Sequence, residues 1–125
     1  MANQISISPG AWKIMRHLWS EGPLTITQLV AALKQESGWS KPTVISTLNR
    51  LEEKGAVRWE QQPGERARRY YADIEEKAAA TRETEDFLDR VYQGRFGLMA
   101  SAMAEADALT AEDIAELEQL LARIK

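Results

Sequence analysis

The sequence predicts a mainly α chain with one small β-hairpin near its middle. Three observations predict it. Helix starts recur as an N-cap residue bracketed by an apolar pair, the hydrophobic staple, at Ile7-Ser8-Pro9, Leu24-Thr25, Trp39-Ser40 and Leu109-Thr110. Between those starts and their glycine stops, apolar residues keep the helical period. Only across residues 56–72 does the period shorten to two.

The first helix is capped by Ser8. Pro9 suits its first position, where a missing N–H costs nothing, and Trp12 is the staple partner. Glu21-Gly22-Pro23 ends it. The second starts at Thr25, with Gln28 three residues on completing a capping box and Leu29 as staple partner to Leu24, and stops at Ser37-Gly38. The third, 41–54, is capped by Ser40, tolerates Pro42 in its first turn, pairs Trp39 with Val44, and stops at Lys54-Gly55. Ala56 to Gln62 then holds Val57 and Trp59 at alternate positions. Pro63-Gly64-Glu65 is turn chemistry, and Arg66 to Ala72 contains Tyr70 and Tyr71, good strand residues. Asp73 with Glu76 is read as the start of a long charged helix, 73–93. A helix at 95–106 follows, then one at 110–125 with Thr110 and Asp113 as a box and Ile114, Leu117, Leu121 and Ile124 along one stripe. Three helices followed by a hairpin over 1–72 form a winged helix-turn-helix. Residues 73–125 are read as a helical dimerisation region.

The composition narrows the function. An apolar share of 44% in 125 residues suits a globular protein. No apolar run approaches the roughly 20 residues that span a bilayer. The N-terminus MANQISISPG lacks the basic-then-apolar order of a secretory leader. The absence of cysteine excludes disulfides, thiolate metal sites and cysteine nucleophiles, and fits a cytoplasmic protein. His17, the single histidine, sits beside Leu18 and Trp19 and is read as a packing or surface residue rather than a ligand. Trp12, Trp19 and Trp39 are core candidates. The acidic cluster Glu83, Glu85, Asp86 and Asp89 lacks calcium-loop spacing and is read as solvated surface, as is Glu52-Glu53. No nucleophile–base pairing or phosphate-cradling glycine loop is present, so neither catalysis nor a cofactor or metal is expected.

The net charge of −3 is unevenly spread. Residues 1–72 carry ten Lys/Arg against six Asp/Glu, a net of +4; residues 73–125 carry six against thirteen, a net of −7. Salt screens beyond about 8 Å, so a basic face in the first half acts largely independently of the acidic second half.

The third helix has two chemistries. Val44, Leu48 and Leu51 form a buried stripe. Lys41, Thr43, Ser46, Thr47 and Arg50 form a small, polar, cationic one, as needed to approach base edges and phosphates in the major groove. Ser40 at the cap leaves backbone N–H groups for a phosphate. The hairpin adds Arg58, Arg66, Arg68 and Arg69. Strand alternation puts Arg66 and Arg68 on one side as DNA contacts and Arg69 on the other as a solvated charge. Double-stranded DNA is therefore the expected partner. The second half carries Phe87, Leu88, Val91, Tyr92, Phe96, Leu98, Met99 and Met103 besides the apolar stripe of the last helix. A domain this small buries a limited fraction of its surface. A homodimer interface is the expected use of Phe87, Leu88, Val91, Tyr92, Phe96, Met99, Met103, Ile114, Leu117, Leu121 and Ile124.

The segments ISPGAWKIMRHLW, GPLTITQLV, GWSKPTVISTLNRLEEKGAV, ETEDFLDRVYQG and LTAEDIAELEQLL, in this order, resemble the penicillinase repressors, the BlaI/MecI/CopY group of bacterial winged-helix regulators. The hairpin GERARRYY also looks like that of PadR-type regulators, whereas the C-terminal segments do not. The resemblance implies a homodimeric repressor on a palindromic operator, with Thr43, Ser46 and Arg50 as reading positions and Arg66 as the wing arginine. In the β-lactamase branch it implies relief through a membrane sensor protease. The family's cleavage pair falls near Ala102-Met103, where this chain departs from it, and Lys41-Pro42 and Arg68 are further departures. The cysteine pairs of the copper-sensing branch are absent. The alternative functions are an effector-sensing PadR- or MarR-like regulator and a winged-helix protein–protein adaptor.

Overall fold

Ser8 Oγ accepts the Ala11 N–H at 3.2 Å, and Pro9 opens α1 (Pro9–Glu21). This is a computed structural model describing residues 5–125; Met1 to Gln4, part of the N-terminus read as leader-free, lie outside the described residues. The helix α2 (Ile26–Ser37) begins with the expected capping box. Gln28 N–H donates to Thr25 Oγ1 at 3.2 Å and Thr25 N–H to Gln28 Oε1 at 2.8 Å. The helix α3 (Lys41–Glu53) follows an extended Ser40. Here the serine side chain does not cap: its hydroxyl lies 3.2 Å from Thr43 Oγ1, a competing partner, so the first N–H groups of α3 have no side-chain acceptor. Gly38 (φ +69°) and Gly55 (φ +82°) end α2 and α3 in the left-handed region that favours glycine.

The hairpin pairs β1 (Val57–Glu60) with β2 (Arg69–Ala72), antiparallel, with Val57 opposite Ala72 and Trp59 opposite Tyr70. It is shorter than the 56–72 reading. Residues 61–68 form a loop, turned at Pro63-Gly64, where Glu65 N–H donates to Gln62 O at 3.0 Å and Gly64 takes φ +86°. Arg66 and Arg68 therefore precede the strand, and strand alternation does not govern their directions. The α1–α2 link joins the sheet: Leu24 and Tyr70 exchange both backbone hydrogen bonds, at 3.1 and 2.8 Å.

Ile14, Met15, Leu29, Leu33, Val44, Leu48 and Leu51 are fully buried and make the centre of the core, with Ala56, Val57 and Tyr70 from the hairpin. Trp12, Trp19 and Trp39 are half-buried at its edge rather than inside it. An indole N–H needs a partner, and Trp19 Nε1 finds the Ile74 carbonyl at 3.0 Å. The helix α4 (Glu76–Tyr92) starts at Glu76, not at Asp73. Asp73 N–H is drawn to Ala56 O at 2.8 Å and its carboxylate lies 3.7 Å from Arg58 Nε, which extends the hairpin pairing instead. Ile74 and Ala79, which follow the hairpin, are buried in this core.

Two compact units result, Met1–Glu83 and Thr84–Lys125. The second holds the end of α4, α5 (Phe96–Glu105) and α6 (Ala111–Ile124). The expected box starts α6: Asp113 N–H donates to Thr110 Oγ1 and Thr110 N–H to Asp113 Oδ2, both at 3.0 Å. The Phe87 and Tyr92 rings meet edge to face at 6.0 Å. No residue of this second unit is buried.

Candidate nucleic-acid interface

The rotation of α3 is set by the burial of Val44, Leu48 and Leu51, which leaves Lys41, Thr43, Ser46 and Arg50 exposed and Thr47 half-buried. Ser46 Oγ and Thr47 Oγ1 both donate to the Thr43 carbonyl, at 3.2 and 2.8 Å. Each hydroxyl keeps lone pairs as acceptors, and its donor hydrogen can rotate to another partner. Asn49, exposed three residues after Ser46 on the same helix, is a further candidate beyond those expected from sequence.

The four wing arginines have four different settings. Arg58 is neutralised: it bonds Glu60, lies beside Asp73, and has its guanidinium 4.4 Å from the Tyr71 ring centre. Arg69, read as a solvated charge, instead pairs with Glu65 at 3.3 Å. Arg68 stacks on Trp59 at 4.0 Å. Arg66 is exposed, and no carboxylate pairs with it among the described residues. Its backbone is held in place, since Gln61 Nε2 donates to both Glu65 O (2.9 Å) and Arg66 O (2.8 Å). Lys41, Arg66 and Arg68 border one cleft of about 320 Å³ with Thr25 and Thr27 at the start of α2. Three cations beside a helix N-terminus make this cleft suited to a phosphate group.

Two side chains outside this face also acquire partners. Glu52, read as solvated, accepts from Trp59 Nε1 at 3.1 Å and so joins α3 to β1. His17 bridges α1 and α2, with Nδ1 2.6 Å from Glu21 Oε2 and Nε2 2.8 Å from Glu36 Oε2. Glu21 is the main cause that raises its pKa above the ordinary 6.5; burial opposes it, and Glu36 adds to it. No group of three metal-ligating side chains occurs among the described residues.

In the second unit Phe96, Leu121 and Ile124 are 55%, 54% and 71% exposed, and Val91, Met103 and Ile114 are exposed as well. Phe87, Leu88, Tyr92, Met99 and Leu117 are half-buried. Leu98 and Leu120 are exposed too and extend the apolar surface beyond the residues assigned to it from sequence. Leu120 lies three residues after Leu117, a helical-face signal already present in the sequence.

Residues 7–123 match the penicillinase repressor family from near one end of the chain to the other. The chain belongs to that family. The penicillinase repressor of Bacillus licheniformis is 30% identical over 115 residues, spanning 92% of this chain and 88% of that one. The methicillin resistance regulatory protein MecI of Staphylococcus aureus (strain N315) is 24% identical over 115 residues, 92% of each chain. Among solved structures, the DNA-binding domain of the repressor BlaI superposes with a TM-score of 0.54 at 25% identity, over 60% of this chain and 89% of that one. Wild-type MarR from E. coli superposes with a TM-score of 0.51 at 21% identity, over 94% of this chain and 77% of that one, a likeness of fold alone. This family member is thus a winged helix of the repressor type. The positions that the family resemblance marks for reading, Thr43, Ser46 and Arg50, all lie on the exposed face of α3, and its wing position, Arg66, is exposed with no carboxylate partner among the described residues. No described helix is long and apolar enough to cross a membrane.

Proposed function

We propose that the protein is a dimeric, cytoplasmic transcriptional repressor that reads a palindromic operator, without cofactor or catalysis. The observation that carries this reading is the pairing of two features. One is a polar face on α3 whose opposite side is fully buried; the other is an adjacent wing that presents the unpaired Arg66. In this reading Thr43, Ser46, Thr47 and Arg50 meet base edges, while Ser40, Lys41 and Arg66 hold phosphates. The apolar surface of the second unit supports the dimer. A folded unit with many large apolar residues and none buried lacks a core of its own, and a second copy would supply one. Two heads related by a two-fold axis match half-sites about 10 bp apart or a multiple. Repression would be relieved by whatever separates the copies, a sensor protease among them; Ala102 and Met103 lie within α5, with Met103 exposed.

The test is selection from a random duplex pool, then affinity of the winner at two salt concentrations. The expected winner is two-fold symmetric with steep salt dependence. No enrichment, or salt-insensitive binding, rejects the proposal and favours an adaptor.

A further inference from the structure

The unexplained contacts of the wing form a chain. Glu52 on α3 accepts the Trp59 indole N–H at 3.1 Å. Trp59 on β1 carries the Arg68 guanidinium on its ring at 4.0 Å. Arg68 lies two positions past Arg66, in the loop 61–68 that no strand pairing holds. At the other side of that loop, Gln61 bonds the Glu65 and Arg66 carbonyls at 2.9 and 2.8 Å. Arg66 is thus bracketed by one polar clamp and one stacked strut, and the strut is rooted in the helix that carries the reading face.

Resting on the DNA-binding reading above, we infer that Arg68 is a positioning residue rather than a phosphate ligand: through Trp59 and Glu52 it couples the wing loop to α3 and keeps Arg66 at the cleft shared with Lys41. The physical argument concerns entropy and register. A phosphate that meets Lys41 at the start of α3 and Arg66 on the wing needs both cations at one cleft. A free loop would have to be ordered on binding, at a cost to affinity. A planar guanidinium over an indole orders it beforehand, and a lysine ammonium stacks less well. The Trp59–Glu52 bond stops the indole from turning away and orients the platform relative to α3.

Charge gives this inference a sign test. Glu52 is an exposed carboxylate on a helix proposed to meet a polyanion. If it were only a solvated charge, its removal would tighten DNA binding, whether by Glu52→Ala or Glu52→Gln. As part of the strut, Glu52→Ala should weaken binding by about tenfold, while Glu52→Gln keeps an acceptor for the indole and should bind at least as tightly as the wild type. Arg68→Lys should weaken binding as much as Arg68→Ala, and combining Arg68→Ala with Glu52→Ala should add little to either alone, since both break one strut.

The experiment is duplex affinity for these variants, with amide hydrogen exchange of residues 61–68 read in the DNA-free protein. Faster exchange and weaker binding in Glu52→Ala and Arg68→Lys, with rescue in Glu52→Gln, is the expected result. Tighter binding by both Glu52 variants, or wild-type behaviour of Arg68→Lys, overturns the inference and makes Arg68 a plain cationic contact. Faster exchange with unchanged affinity overturns the coupling. A wild-type chain that binds no duplex rejects the DNA reading itself, a result distinct from all of these.

Discussion

Replacing Arg66 by alanine separates a phosphate contact from a structural arginine. Its side chain is exposed and unpaired among the described residues, while Gln61 holds the backbone through carbonyl oxygens that alanine keeps. Stability should therefore stay within about 0.5 kcal/mol of wild type. Binding should change in a defined way. Each phosphate neutralised contributes about 0.9 to the slope of log affinity against log salt, so two wings per dimer contribute about 1.8. The wild-type advantage over Arg66→Ala should then shrink about twelvefold between about 50 and 200 mM salt. Fluorescence anisotropy with a labelled duplex across that range reads the slope directly. Arg69→Ala is the control, because Arg69 already spends its charge on Glu65 at 3.3 Å and should leave the slope close to wild type. An unchanged slope in Arg66→Ala would refute the assignment, as would a loss confined to one sequence.

Thr43→Ala should alter which bases are preferred while leaving the salt slope unchanged; a repeated selection from the random pool shows whether the winning site moves. Leu117→Asp and Leu121→Asp should convert a dimer to monomer in sedimentation, with helical circular dichroism retained, since Leu121 is already 54% exposed in the single chain; a dimer that survives both places the interface elsewhere. Leu48→Ala removes a fully buried side chain behind the polar face of α3 and should cost about 3 kcal/mol, seen as a lower midpoint in urea. His17 is held above its ordinary pKa by Glu21, then Glu36, so its contribution to stability is full below about pH 6.5 and is lost as pH rises through the raised folded value. The melting-temperature gap between wild type and His17→Gln should close between mildly acidic and alkaline pH, and a gap that widens instead would contradict the sign.

What the sequence determined was local. The Thr25–Gln28 and Thr110–Asp113 boxes, the Ser8 cap and the glycine stops involve partners within a few residues, so their bonds are encoded where they form. The buried stripe of α3 was equally legible, because Val44, Leu48 and Leu51 share a face whatever the helix packs against. Even so, Ser40 and Asp73 show the limit: each matched a cap by type, and each found a competing partner.

Tertiary structure decided which charges found partners from other elements. By composition Arg58, Arg66, Arg68 and Arg69 are equivalent. Glu60 and Glu65 lie only two and four residues from Arg58 and Arg69, whereas packing set Arg68 on Trp59 and left Arg66 with no carboxylate among the described residues. It likewise turned Glu52 from a solvated charge into a link to the wing, and joined Leu24 to Tyr70 within the first unit. The physical reason is sequence distance. A bond closed within one helical turn depends on residues that are always adjacent. A partner from another element depends on how two surfaces register, and that is set only once the core of Ile14, Leu29, Leu48 and Tyr70 has closed.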